Sequence, residues 1–134
     1  MKRDIVNPAG MYETVSFGFS HAAVHSGRTV ELAGQVAWDA NRNTVGAGDL
    51  EAQVRQVLAN LREVLATVGA GPENVVRLRT YVVDHSPEKL GPICAQIAAF
   101  YDGHDPAPNT FIGVQALALP DFLIEIEATA VIGA

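Results

Sequence analysis

Two glutamates, Glu125 and Glu127, stand two residues apart in the run LIEIEATA near the end of this sequence. On a strand that spacing sends both carboxylates to one side, because successive side chains alternate between faces. One use is structural, an ion pair with Arg77 or Arg79, which are spaced in the same way in NVVRLRTYVV. The other is chemical: a carboxylate partly withdrawn from water can exchange protons with a bound molecule. Taken alone, the residues favour the ion pair.

Other candidate chemistry is thinner. His21, His25, His85 and His104 are scattered without metal-ligand spacing, and His21 with His25 lacks a third ligand. Cys94 is the only cysteine, which excludes an intrachain disulfide. It falls on an apolar helical stripe, so it reads as a buried thiol rather than a nucleophile. Gly46-Ala47-Gly48 precedes a helix, but Glu51 stands where a dinucleotide loop has its third glycine. Asp49 and Glu51 would also repel an anion there. Ser16 and Ser20 lack a hydrolase signature. No metal site is expected.

These residues must be positioned by short elements. From Leu50 to Val68 the apolar residues Leu50, Val54, Val57, Leu58, Leu61, Val64, Leu65 and Val68 recur with helical period. Asp49 is a suitable N-cap and Gly69 a suitable stop. A second helix is expected from Ser86 and Pro87, with Leu90, Ile93, Cys94, Ile97 and Tyr101 inward, ending at Asp102-Gly103. Residues 22–25 and 29–37 read as a hairpin turning at Ser26-Gly27-Arg28. Val75 to Val83 is a strand with Val76, Leu78 and Val82 on one face. Residues 110–117 and 123–131 read as a closing pair of strands joined around Pro120-Asp121.

The order is then β-β-α-β-α-β-β, an α+β class in which two helices cover one face of a mixed sheet. The uncovered face carries Arg77, Arg79, Glu125 and Glu127 beside Tyr81, Leu123 and Val131. Such a face suits either solvent or a subunit interface in which opposite charges pair.

Bulk properties bound the partners. The 134 residues, 49% hydrophobic and 18% charged, fit one domain spanning residues 1–134. Nine Lys and Arg against 15 Asp and Glu give a net charge of -6, which disfavours nucleic acid and anionic membranes. No signal-like or membrane-length apolar run is present, so a cytoplasmic protein is expected.

The stretches GFSHAAV, ELAGQVAWD, DLEAQVRQVLANLREVLATVGA, NVVRLRTYVVD and GVQALALPDFLIEIEATAV follow one another in an order and at a spacing that resemble the RidA (YjgF) family of reactive-intermediate deaminases. The resemblance runs over almost the whole chain. It implies a chorismate-mutase-like fold, a homotrimer with clefts between neighbouring subunits, and hydrolysis of imines and enamines such as 2-aminoacrylate without a cofactor. Some members carry older labels as ribonucleases or translation inhibitors. In catalytic members an arginine opens the fourth strand and binds the substrate carboxylate; Asn109 aligns there, with Thr110 the neighbouring possibility. The family's early tyrosine corresponds to Phe19, and a frequent asparagine of the second helix to Cys94. Glu125 and Gly34 match residues the family retains. The resemblance therefore implies Glu125 as the proton-handling group, with Phe19, Gly34, Cys94, Asn109 and Thr110 around a small-molecule ligand. The deaminase chemistry would be altered, and a non-catalytic metabolite-binding or protein-interaction trimer is the alternative.

Overall fold

The structure is a computed structural model that describes residues 2–133. Strands β1 (Lys2–Val6), β2 (Ala22–Ser26) and β3 (Arg28–Gln35) precede helix α1 (Leu50–Thr67). Then follow β4 (Val75–Val83), helix α2 (Leu90–Phe100), β5 (Asn109–Val114) and β6 (Ile124–Ile132). Four strands form a mixed sheet in the order β3-β6-β4-β5, in which only β4 and β5 are parallel. β1 and β2 pair with each other as a separate antiparallel ribbon.

The α+β class and the mixed sheet agree with expectation, but strand pairing differs in two places. β2 does not turn back on β3. A single residue, Gly27 at φ +124°, separates them, and one residue cannot close a hairpin. β2 instead pairs with β1, a strand the sequence reading passed over, and β3 pairs with β6. Nor do β5 and β6 form a closing pair, because β4 lies between them and bonds to both.

Both helices lie on one face of this sheet. Asp49 caps α1 as expected, its side chain accepting from the Ala52 amide at 3.1 Å, and Gly69 takes the left-handed conformation beyond its end. Val54, Val57, Leu61 and Leu65 are fully buried and meet Ile124, Ile126, Ala128 and Ala130 of β6. Ile93, Ile97 and Phe100 of α2 complete the cluster. Ser86 and Pro87 open a 3-10 turn that runs on into α2, so the helix proper begins at Leu90. In β4 an irregularity between Val75 and Arg77 puts Val75 in the core; Val76, expected there, is buried outside that cluster.

One buried polar side chain fixes the entrance to β6. Gln53 is fully buried; it donates to Gly46 O and Asp121 O and accepts from Leu123 N, at 2.9 to 3.1 Å. All its hydrogen-bonding groups but one acceptor lone pair are thereby used, and the two loops it joins lead into α1 and β6.

Candidate functional site

The expected site residues fall into two groups on the surface of one chain. Phe19, Cys94, Asn109 and Thr110 line a single cavity of about 510 Å³. Glu125 and Gly34 lie together elsewhere, on the face of the sheet away from the helices.

The cavity forms where the segment before β2 crosses α2. Val15–Phe17 make one 3-10 turn, ended by Gly18 at φ +84°. Gly18 packs on the α2 backbone so closely that a Cβ there would lie 3.0 Å from Cys94 O and 3.1 Å from Ala98 N. That approach holds Phe17 and Phe19 on either side of the glycine against the Cys94 turn of α2. Asn7 ties the segment down: its side chain accepts from His21 N at 2.9 Å and donates to the buried Ser20 hydroxyl at 3.1 Å.

From the other side come the first residues of β5. The hydroxyl of Thr80, wholly buried on β4, donates to Asn109 Oδ1 at 3.1 Å. This fixes the carboxamide and leaves its N–H groups without a protein partner among the described residues. Thr110 is exposed beside it. Cys94 is half-buried, and desolvation pushes its thiol pKa up, so it faces the cavity as a neutral group.

Tyr12, Phe17, Leu90 and Phe111 also line the cavity. Sequence reasoning did not name them as site residues. Tyr12 and Phe17 lie in an aperiodic segment that offers no hydrophobic pattern to read. Phe111 is backed by the His85 ring, 4.8 Å from centroid to centroid. Among the described residues no Lys, Arg, His, Asp or Glu lines this cavity.

Glu125 lies opposite Tyr81 in the β6–β4 register and is half-buried. A bulge in β3 between Leu32 and Gln35 brings Gly34 against it. A Cβ at Gly34 would overlap the Glu125 carboxylate, with Cδ 2.8 Å away, so only glycine leaves the carboxylate this position. The bulge is anchored to α1 by Asn60, whose Nδ2 donates to Val36 O and Trp38 O, each at 3.0 Å. Desolvation raises the Glu125 pKa, and the neighbouring charge of Glu127 raises it further.

The expected ion pairs with Arg77 and Arg79 do not form. Among the described residues no cation lies at ion-pair distance from Glu125 or Glu127. Glu127 instead accepts a very short hydrogen bond from the Tyr81 hydroxyl, which raises the tyrosine pKa. Arg77 and Arg79 line a different, charged depression of about 250 Å³ with Glu31, Glu127 and Thr129. Arg79 stands beside Thr110 in the β4–β5 register, but neither arginine is among the residues that line the cavity. No three His, Cys, Asp or Glu side chains among the described residues are grouped to hold a metal ion, and no helix there is long and apolar enough to cross a membrane.

Comparison with known proteins identifies the fold family. The sequence model of the family described as Endoribonuclease L-PSP matches residues 13–132. A protein of unknown function of the conserved Rid family, YyfB from Yersinia pestis, is 65% identical; the match covers 98% of this chain and all of that one, with a TM-score of 0.97. A RutC family protein of Pyrococcus horikoshii is 31% identical over 81% of this chain and 82% of its own. Another, from Synechocystis, is 34% identical over 75% of each. The six strands, the two helices on one face and these matches over nearly the whole length agree: the chain belongs to the RidA (YjgF) family.

Proposed function

We propose that this chain is a single-domain cytoplasmic protein that assembles as a homotrimer. In it the Glu125–Gly34 group of one subunit faces the Phe19–Asn109 cavity of the next, and an imine or enamine is hydrolysed between them without a cofactor. The observation that carries the reading is Glu125 itself: half-buried, without a cation at ion-pair distance among the described residues, its proton affinity raised, and given its place by a glycine. Such a carboxylate is suited to proton transfer.

In the proposed reaction Glu125 takes a proton from water as the oxygen adds to the C=N carbon. It returns that proton to nitrogen to give a carbinolamine, then takes the hydroxyl proton and passes it to nitrogen, so that the C–N bond breaks to a carbonyl compound and ammonia. Asn109 donates hydrogen bonds from the amide N–H groups left free by Thr80. Phe19 and the Cys94 thiol wall the site, and Thr110 stands at its edge.

A non-catalytic metabolite-binding or protein-interaction trimer is the competing reading. It expects a carboxylate neutralised by arginine, and among the described residues of the chain Glu125 has no such partner. Nucleolytic activity, suggested by the family's description, fits poorly with a charge of -6 and an uncharged cavity.

The test is ammonia release from 2-aminoacrylate generated by a coupled dehydratase. Wild type is expected to be weak, because Asn109 cannot clamp a carboxylate. Asn109→Arg is expected to raise the rate by about one decade, in line with roughly 1.5–3 kcal/mol for a charge-assisted hydrogen bond. Adding Glu125→Gln should abolish the gain. Equal rates for the single and double variants would remove Glu125 from the mechanism.

A further inference from the structure

The cavity's lining bears on which molecules enter it. Its walls are aromatic and aliphatic: Phe17 and Phe19 from the segment before β2 and Phe111 from β5, with Tyr12 and Leu90 beside them. Its polar groups are few and uncharged: the Asn109 carboxamide, the Thr110 hydroxyl and a Cys94 thiol that burial keeps neutral. At about 510 Å³ it lies within the roughly 300–1,000 Å³ of small-molecule sites, and it is far larger than a three-carbon acid requires. Tyr12 and Phe17 are 66% and 56% exposed, so much aromatic surface remains in water until something covers it.

We propose that the occupant is a neutral molecule carrying an aromatic ring, seated among Phe17, Phe19 and Phe111 with one hydrogen-bond acceptor on the Asn109 amide. A carboxylate placed there would lose its hydration without gaining a cation, whereas a ring gains apolar burial and edge-to-face contacts. The Asn109 amide, oriented by Thr80, fixes where the acceptor end of the molecule lies. Resting on the imine-hydrolysis reading, this names its substrate class as aryl-bearing imines without a carboxylate.

Calorimetric titration of the intact protein with three probes separates the terms. Phenylacetamide has ring and acceptor without charge, phenylacetate has the same ring with charge, and propionamide has the acceptor without a ring. Phenylacetamide is expected to bind about tenfold or more tightly than either of the others. Phe17→Ala, at an exposed position, and Phe19→Leu, which keeps bulk but removes the ring, should each weaken phenylacetamide severalfold and leave propionamide unchanged. Asn109→Arg should reverse the preference toward phenylacetate. Phenylacetate or propionamide binding as well as phenylacetamide in wild type would overturn the proposal, as would no binding of phenylacetamide or indifference to both Phe variants. The readout is independent of turnover. Tight phenylacetamide binding without ammonia release from any imine would refute hydrolysis alone, while release confined to small anionic imines would refute this inference alone.

Discussion

At Glu125 the same desolvation that suits a proton carrier also penalises the folded state at high pH. Its folded pKa is raised above the unfolded value, so the native chain holds the proton more tightly than the unfolded chain. The stabilising contribution is fully present below the ordinary carboxylate pKa and is lost as pH rises through the raised folded value. Glu125→Gln, which cannot ionise, is therefore expected to melt higher than wild type at about pH 7.5, with the advantage shrinking toward about pH 4. Thermal melts at both pH values check this, and an advantage that was constant or grew on acidification would contradict it. Glu127 sits two residues along the same face but is engaged by the Tyr81 hydroxyl, so the two carboxylates differ although their sequence spacing treats them alike.

The turn that places the cavity depends on a close backbone approach rather than on side-chain bulk. The 3-10 turn before β2 reaches α2 only because Gly18 has no Cβ and adopts φ +84°. Gly18→Ala combines a left-handed backbone with a clash against two backbone atoms, and it is expected to destabilise the fold by about 1–3 kcal/mol. Chemical denaturation measures that loss, and an unchanged midpoint would show that the turn does not need the glycine.

How much of this was legible varied with range along the chain. α1 announced itself through Val54, Val57, Leu61 and Leu65, because helical period is a local signal. Partner choice among strands is not local. Nothing in residues 22–37 says that β2 will pair with Lys2–Val6, a short charged segment, instead of folding back at Gly27. Likewise, β4 slips between β5 and β6 because α2 carries the chain across to a parallel strand, and the closing-pair reading could not anticipate that crossing. For the site, Glu125 and Gly34 were proposed from their match to the family's sequence pattern, and Asn109 from its place where that pattern has arginine. Tyr12, Phe17, Leu90 and Phe111 share the Asn109 cavity through tertiary contact, and their spacing in the chain carries no trace of it.

At the scale of the whole molecule, one chain holds both groups of site residues but in different places. The cavity opens between α2 and the segment before β2, while Glu125 looks out from the helix-free face of the sheet. That face carries Arg77, Arg79, Glu31 and Glu127, without an arginine–glutamate ion pair among the described residues. A row of both signs left unpaired within the chain is suited to pairing across a contact between copies. The proposed assembly brings that face of one subunit beside the cavity of the next and completes three sites at once. Light scattering should then give the mass of three chains at micromolar concentration. The most direct measurement is a crystal structure of the assembled protein, read for what lies between Glu125 of one subunit and Asn109 of its neighbour. The account predicts three chains about one axis, with the Glu125 carboxylate opening into the neighbour's cavity within reach of a shared water. A monomer, or an assembly in which Glu125 faces bulk solvent or the axis while every cavity opens elsewhere, would contradict it.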